Sequence, residues 1–196
     1  HLALMTVDLG PGDEVLVPSP DYPLWSAAVA LNGGKAVHYR CAEDNGFQPD
    51  IAHIEASISP RTRAIVVINP NNPSGAVYDL ATLKSIVEIA EKHGLVLMAD
   101  EIYDQMVYDD AEFIPLATLV ANTVCLTYSG LSKIYRACGY RVGWCVFSGD
   151  LERATDYIHG MELLSALRLC SNVPGQWAVQ TALGGFQSIE PLVMPG

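Results

Sequence analysis

Short apolar runs alternate along this chain with stretches in which apolar residues recur at helical spacing. Residues 64–68, Ala-Ile-Val-Val-Ile, form a continuous apolar run, which is typical of a strand that is covered on both faces of a sheet. The segment after Asp79 instead repeats its apolar residues close to the 3.6-residue period of a helix, and Gly94 stands where helices commonly end. Strands that alternate with helices favour an α/β fold with a mostly parallel sheet.

The same patterns place the other elements. Predicted strands cover residues 14–18, 36–40, 64–68 and 95–99, a run that begins with 123–126, and 143–147. Predicted helices cover 24–31, 51–57 behind an Asp50 cap, the segment after Asp79, a long helix from an Asp150 cap to about residue 169, and 176–183 after a break at 172–175. Residues 1–9 have the pattern of the last turns of a helix without an N-cap, so we expect a fragment cut from a longer protein.

Three polar residues follow three different predicted strands. Asn72 lies in the loop after strand 64–68, Asp100 comes directly after strand 95–99, and Lys133 follows the strand that begins at residue 123. In sheets of this kind, ligands bind outside the carboxyl ends of the strands. We therefore expect the three side chains to meet at one end of the sheet.

Lys133 stands between two strand-like runs, although lysines are seldom fully buried unless they are paired. One use for such a lysine is an amine whose pKa is lowered by desolvation or by nearby cations, so that it can attack a carbonyl. The alternative is an ordinary lysine whose ammonium reaches solvent beside the sheet.

Three ordered motifs carry a resemblance to a known family. They are Asn69-Pro70-Asn71-Asn72-Pro73-Ser74-Gly75, Ala99-Asp100-Glu101-Ile102-Tyr103 and Ser129-Gly130-Leu131-Ser132-Lys133. With them the chain resembles the fold-type I pyridoxal-phosphate-dependent aminotransferases of class I/II, and among these the bacterial alanine aminotransferases. The resemblance covers essentially all 196 residues. It implies a three-layer α/β/α fold with a mixed, mostly parallel sheet, in which residues 1–196 are the cofactor-binding large domain, truncated at both ends.

The resemblance also implies a role for each motif residue around pyridoxal 5'-phosphate. Lys133 would form a Schiff base with the cofactor aldehyde and then act as general base and acid. Asp100 would face the pyridine nitrogen and keep it protonated. Tyr103 lies three residues after Asp100, which is the spacing of neighbours on one helical face. It would hydrogen-bond the phenolic oxygen, as would Asn72. Two of these residues also have simpler interpretations: Asp100 could cap a helix, and Asn72 could be an ordinary turn residue.

Three further residues match positions that hold the cofactor in the resembled family. Tyr22, between two prolines, would stack on the ring, unless it is an ordinary core or surface tyrosine. Arg141 would bind the phosphate with its guanidinium fork, and Ser132 would donate a hydroxyl. The usual family pattern is Ser-x-Ser-Lys, but here position 130 is glycine, so Ser129 is a weaker candidate.

The activity implied is transfer of an amino group between alanine, or a similar small amino acid, and 2-oxoglutarate. A homodimer is expected, because family subunits complete each other's sites. The fragment itself is expected to be inactive, since the family's phosphate loop lies upstream and its carboxylate-binding arginine downstream. Alternatives are a carbon–sulfur β-lyase on the same scaffold, the aminotransferase-like sensory domain of a transcription regulator, and a doubly wound domain unrelated to the cofactor.

The composition of the chain bears on its partners, its cellular compartment and the presence of membrane spans or metal sites. A net charge of −11 argues against a nucleic-acid partner. The five cysteines form no C-x-x-C pair, which favours a reducing cytoplasm. No apolar run approaches the ~18 residues of a membrane span. The five histidines show no metal-ligand spacing with cysteines or carboxylates, so we predict no metal, and Glu101 is expected to be a surface or packing acid.

Overall fold

The computed structural model describes residues 9–185, and six strands form its sheet. The strands are β1 (Glu14–Ser19), β2 (Lys35–Arg40), β3 (Thr62–Ile68), β4 (Val96–Asp100), β5 (Val124–Gly130) and β6 (Gly143–Gly149). The helices are α1 (Leu24–Leu31), α2 (Ile51–Ala56), α3 (Leu80–His93), α4 (Thr155–Arg168) and α5 (Val173–Gly184).

The strand order is β2-β1-β3-β4-β5-β6. Neighbouring strands from β2 to β5 are parallel, and β6 runs antiparallel to β5. The prediction of a mixed, mostly parallel sheet is therefore confirmed. Because β3, β4 and β5 are adjacent and parallel, the loops that follow them leave the sheet at the same end.

Two apolar cores cover the two faces of the sheet, as the alternation of side chains along a strand requires. Ile65 and Val67 of β3 pack on one face with α3. Val66 and Ile68 point to the opposite face and pack with α1 and with residues of α4. Helices therefore flank the sheet on both sides, and the three-layer α/β/α architecture is confirmed.

The helix caps explain why several predicted boundaries are correct to within a residue or two. The Asp50 carboxylate accepts a hydrogen bond from the His53 N–H at 3.0 Å, at the start of α2. Asp79 accepts from the Thr82 N–H at 2.7 Å, at the start of α3. That helix ends at Gly94, whose φ of 65° is in the left-handed region where glycine is favoured.

Two predicted helix starts are wrong. Asp150 does not cap a helix: its N–H donates to the Thr123 carbonyl at 2.9 Å, and the turn Glu152–Ala154 separates it from α4. The supposed break at residues 172–175 is the beginning of α5, because Asn172 caps the Gly175 N–H at 2.9 Å. A proline is compatible with the first turn of a helix, where its missing N–H has no partner to lose.

Residues 1–8 of the predicted N-terminal helix lie outside the described range. Within residues 9–185, no helix is both long enough and apolar enough to cross a membrane.

Candidate active site

A cavity of about 310 Å³ lies at the carboxyl ends of β3, β4 and β5. Its volume is within the range of small-molecule sites, roughly 300–1,000 Å³. All seven residues that the sequence predicts as a cofactor site line it: Tyr22, Asn72, Asp100, Tyr103, Ser132, Lys133 and Arg141. The structure thus brings together side chains from five separate segments, while their chemical roles stay predictions.

Asp100 is the last residue of β4 and is held from three directions. Its carbonyl accepts from the Asn69 N–H at 3.0 Å, which ties it to the end of β3. Its carboxylate accepts from the Trp25 indole N–H at 2.9 Å and, more weakly, from the Ile102 N–H at 3.4 Å. Burial raises the pKa of Asp100 above its ordinary value, and these two bonds and the Lys133 charge lower it in part.

In the Asn-Pro loop after β3, Asn69 and Asn71 are buried, whereas Asn72 lines the cavity. The Asn69 side chain accepts from the Tyr78 N–H at 2.9 Å. Asn71 is also buried, and its carbonyl oxygen accepts from both the N–H and the hydroxyl of Ser74. Asn72 lines the cavity instead, so its amide is available to a ligand.

Tyr103 reaches the cavity from a turn rather than from a helix. Sequence spacing suggested that it shares a helical face with Asp100, but residues 102–105 form turns, in which the Met106 N–H donates to the Tyr103 carbonyl at 2.8 Å. Asn72 and Tyr103 also line a second cavity of about 500 Å³, so the two side chains separate adjoining spaces.

Lys133 lies three residues beyond β5, and its ammonium stands 5.4 Å from the centre of the Tyr103 ring. That distance is within the range of a cation–π contact. Lys133 is exposed, so the structure favours the alternative in which its ammonium reaches solvent beside the sheet. The reason is local: the buried strand ends at Gly130, and the bends after it carry the lysine out of the sheet layer.

Ser129, Ser132 and Arg141 gather at one end of the cavity. All three also line a neighbouring cavity of about 300 Å³, so they stand where the two spaces join. Arg141 is exposed, and its guanidinium donates to the Cys138 carbonyl at 2.8 Å. Two hydroxyls and a guanidinium form a donor set that suits a phosphate dianion.

At Gly130, where the family pattern has serine, the backbone of this chain leaves little room for a Cβ atom. A Cβ atom at this position would lie 2.7 Å from the Val142 carbonyl oxygen, a distance at which the β5–β6 backbone would have to shift. Glycine therefore permits the close approach of β5 and β6 beside the cavity, and Ser129 lines the cavity from the neighbouring position.

Sequence reasoning missed Trp25 and Tyr128. Both line the cavity, and their ring centroids are 5.5 Å apart. Tyr128 is the residue of the described range whose buried side-chain hydroxyl lacks a hydrogen-bond partner. Trp25 lies at the apolar start of a helix, and Tyr128 lies in an apolar strand. Neither therefore has a local sequence signal that distinguishes it from an ordinary core aromatic residue.

Glu101 is buried in the packed interior and does not lie at the surface. It is 6% exposed, and its carboxylate accepts from the Leu116 N–H at 2.8 Å. Burial is the largest cause that raises the pKa of Glu101 from its ordinary value of 4.5 to about 7, and the nearby Asp104 and Asp100 add to it. The folded state therefore holds a proton on Glu101 at pH values where the unfolded chain has lost it.

We expect Glu101 to make the protein less stable as the pH rises from about 4.5 to 7, by on the order of 3 kcal/mol. The sign follows because folding favours the protonated acid, so each increase in pH costs the folded state more. Glu101→Gln keeps an acceptor for Leu116 and removes the titration. The thermal unfolding midpoint of Glu101→Gln minus that of the unmutated protein should be larger at pH 8 than at pH 5. Glu112→Gln, at an exposed position, is the control. If the midpoint difference for Glu101→Gln is the same at both pH values, the assignment is contradicted.

The family comparison agrees with this geometry. The sequence model of the family described as aminotransferase class I and II matches residues 1–193. The chain belongs to this family. The cofactor of these aminotransferases is pyridoxal phosphate.

Three individual relatives show how similar this aminotransferase chain is to known proteins. Alanine aminotransferase of Mycobacterium tuberculosis is 57% identical over 198 residues, covering 100% of this chain and 46% of the relative. Glutamate-pyruvate aminotransferase AlaA of Escherichia coli is 56% identical over 188 residues, covering 96% of this chain and 46% of the relative. The crystal structure of an aminotransferase from Escherichia coli superposes with a TM-score of 0.95 at 54% identity, covering 98% of this chain and 48% of that one. The chain thus spans about half the length of the curated relatives it matches.

The donor set of the aminotransferase cavity fits pyridoxal phosphate. A carboxylate suits the pyridinium N–H, an amide and a phenol suit the ring oxygen, and a guanidinium with two hydroxyls suits the phosphate. Tyr22, 43% exposed, offers an aromatic face at the same cavity.

Proposed function

We propose that the full-length protein containing this chain transfers an amino group between alanine, or a similar small amino acid, and 2-oxoglutarate. The observation that carries the proposal is the convergence of the Lys133 amine, the Asp100 carboxylate and the Asn72 amide on one cavity. The named activities of the relatives, alanine aminotransferase and glutamate-pyruvate aminotransferase, support this choice of substrates.

When bound, pyridoxal phosphate supplies an aldehyde that reacts with amines and a ring that accepts electrons from the substrate α-carbon. Asp100 holds a proton at the ring nitrogen through a charge-assisted hydrogen bond. Tyr103 and Asn72 would donate hydrogen bonds to the ring oxygen and so orient the ring. Ser132, Arg141 and Ser129 bind the phosphate where the two cavities join.

Lys133 has two tasks in this proposal. Its amine would hold the cofactor covalently, and as a free amine it would carry a proton to and from the substrate α-carbon. The contact with the Tyr103 ring supports both, because it keeps the ammonium at the cavity although the residue is exposed.

Two further proposals concern the whole protein. We propose a homodimer, because Tyr22 and Arg141 line the cavity and are exposed, and a partner subunit would cover them. We propose a cytoplasmic location, since the cysteines of the described chain are all free thiols.

The direct test is an assay of the full-length protein with alanine. We expect more than one pyruvate per active site to form only when 2-oxoglutarate is present, with glutamate formed alongside it. A protein that releases pyruvate from a cysteine-type substrate without an acceptor would instead be a β-lyase. A protein that binds the cofactor and turns over neither substrate would fit a sensory domain.

The isolated chain of 196 residues is expected to show no alanine:2-oxoglutarate turnover above background. It corresponds to 46% of the length of each of the two curated relatives named above, and the cavity residues Tyr22 and Arg141 are exposed. Turnover by the isolated chain, at a rate that scales with its concentration, would contradict this expectation.

A further inference from the structure

Trp25 is an apolar core residue with one polar group, and that group faces the candidate active site. It lies in the first turn of α1, is 1% exposed, and packs with Val29 one turn further on. Its indole N–H donates to Oδ2 of Asp100 at 2.9 Å. A buried indole N–H usually finds a partner. Here the partner is the carboxylate assigned above to the cofactor ring.

The two oxygens of Asp100 are used unequally. Oδ2 takes the strong bond from Trp25, whereas Oδ1 receives, among residues 9–185, one long bond of 3.4 Å from the Ile102 N–H. A distance of 3.4 Å is beyond the usual N–H···O range of about 2.7–3.2 Å. Oδ1 therefore keeps the capacity to accept a strong bond from a ligand at the cavity.

We propose that Trp25 is a positioning residue for the aminotransferase reaction: its N–H fixes the Asp100 carboxylate so that Oδ1 meets the protonated ring nitrogen of the cofactor. The inference rests on the function proposed above. The terminal torsion of aspartate is broad, so the carboxylate needs a partner to hold its plane. Trp25 can serve because the surrounding core and the Tyr128 ring hold the indole itself.

A second effect of the bond is on charge. Burial raises the pKa of Asp100, and the Trp25 N–H is the largest of the contacts that oppose this rise; the Ile102 N–H and the Lys133 ammonium are the others. Without the indole N–H, the carboxylate would be both less oriented and more readily protonated.

The test uses Trp25→Phe in the full-length protein, which keeps an aromatic ring and removes the donor. We expect the dissociation constant of the apoprotein for pyridoxal 5'-phosphate to rise at least about 10-fold. We expect kcat to fall while KM for the amino acid changes little. Val29→Ala is the matched control, because it thins the same core one turn away and Val29 does not line the cavity. Its dissociation constant should stay that of the unmutated protein.

A double-mutant cycle separates positioning from packing. If Trp25 acts through the carboxylate, Trp25→Phe should add less than about 2-fold when Asp100→Ala, which removes both carboxylate oxygens, is already present. An unchanged dissociation constant in Trp25→Phe, or an equal loss in both backgrounds, would overturn the inference. If Trp25→Phe does not fold, Trp25→benzothienylalanine, which has the shape of tryptophan without the N–H, gives the same decision. Failure of the unmutated protein to bind the cofactor would instead overturn the proposed function.

Discussion

Replacing Lys133 with alanine should abolish the borohydride-sensitive visible absorption band of the full-length protein. The band requires a covalent link between the cofactor and an amine of the protein, and Lys133 is the lysine that lines the cavity in the described chain. Turnover should fall by roughly 100- to 10,000-fold from the loss of acid–base catalysis alone. The measurements are an absorption spectrum before and after borohydride and a steady-state alanine assay.

Two further variants make the Lys133 experiment specific. Lys133→Arg keeps a cation beside the Tyr103 ring but has no reactive amine, so it should lose the band as alanine does. Lys84→Ala removes an exposed lysine of α3, away from the cavity, and should keep both the band and the turnover. A band that survives in Lys133→Ala would place the attachment on another residue and refute the assignment.

Asp100→Asn should lower kcat by roughly 10- to 150-fold, because it replaces a charge-assisted bond, typically worth about 1.5–3 kcal/mol, with a neutral one. Asparagine keeps the size of the side chain, so the sheet and the Trp25 contact should persist. The apoprotein should also bind pyridoxal phosphate more weakly, which equilibrium titration measures.

Asp104→Asn is the matched control for this experiment. Asp104 lies in the same segment and is partly buried, yet it does not line the cavity. It should retain the kinetics of the unmutated protein. If Asp100→Asn proves equally active, the carboxylate does not serve the ring nitrogen, however well the cavity is arranged.

The sequence predicted the lining of the cavity well for a physical reason. Asn72, Asp100 and Lys133 follow strands, and strand identity can be inferred from apolar runs. Once the strands are parallel neighbours, their carboxyl ends must meet. Local turn geometry had no such signal: Tyr103 stands in a turn where helical spacing was assumed, and Asp150 bonds to the sheet instead of capping α4.

Trp25 shows what could not be predicted. Its partner Asp100 is 75 residues away in the sequence, and nothing near Trp25 distinguishes its indole from that of a purely structural core residue. The exposure of Lys133 was one of two alternatives that the sequence left open. Its apolar neighbours suggested burial, but the strand stops at Gly130, three residues too early to cover it.

Two carboxylic acids stand side by side at the end of β4 with opposite surroundings. Asp100 faces the cavity beside Trp25, while Glu101 turns to the Leu116 side of the sheet. Consecutive side chains alternate between faces, so a slip of β4 by one residue would present glutamate where aspartate now stands. The chemistry of the cavity therefore depends on strand alignment. A mutation deep in β3 or β5 that alters this alignment would disable the protein without touching any residue that meets the ligand.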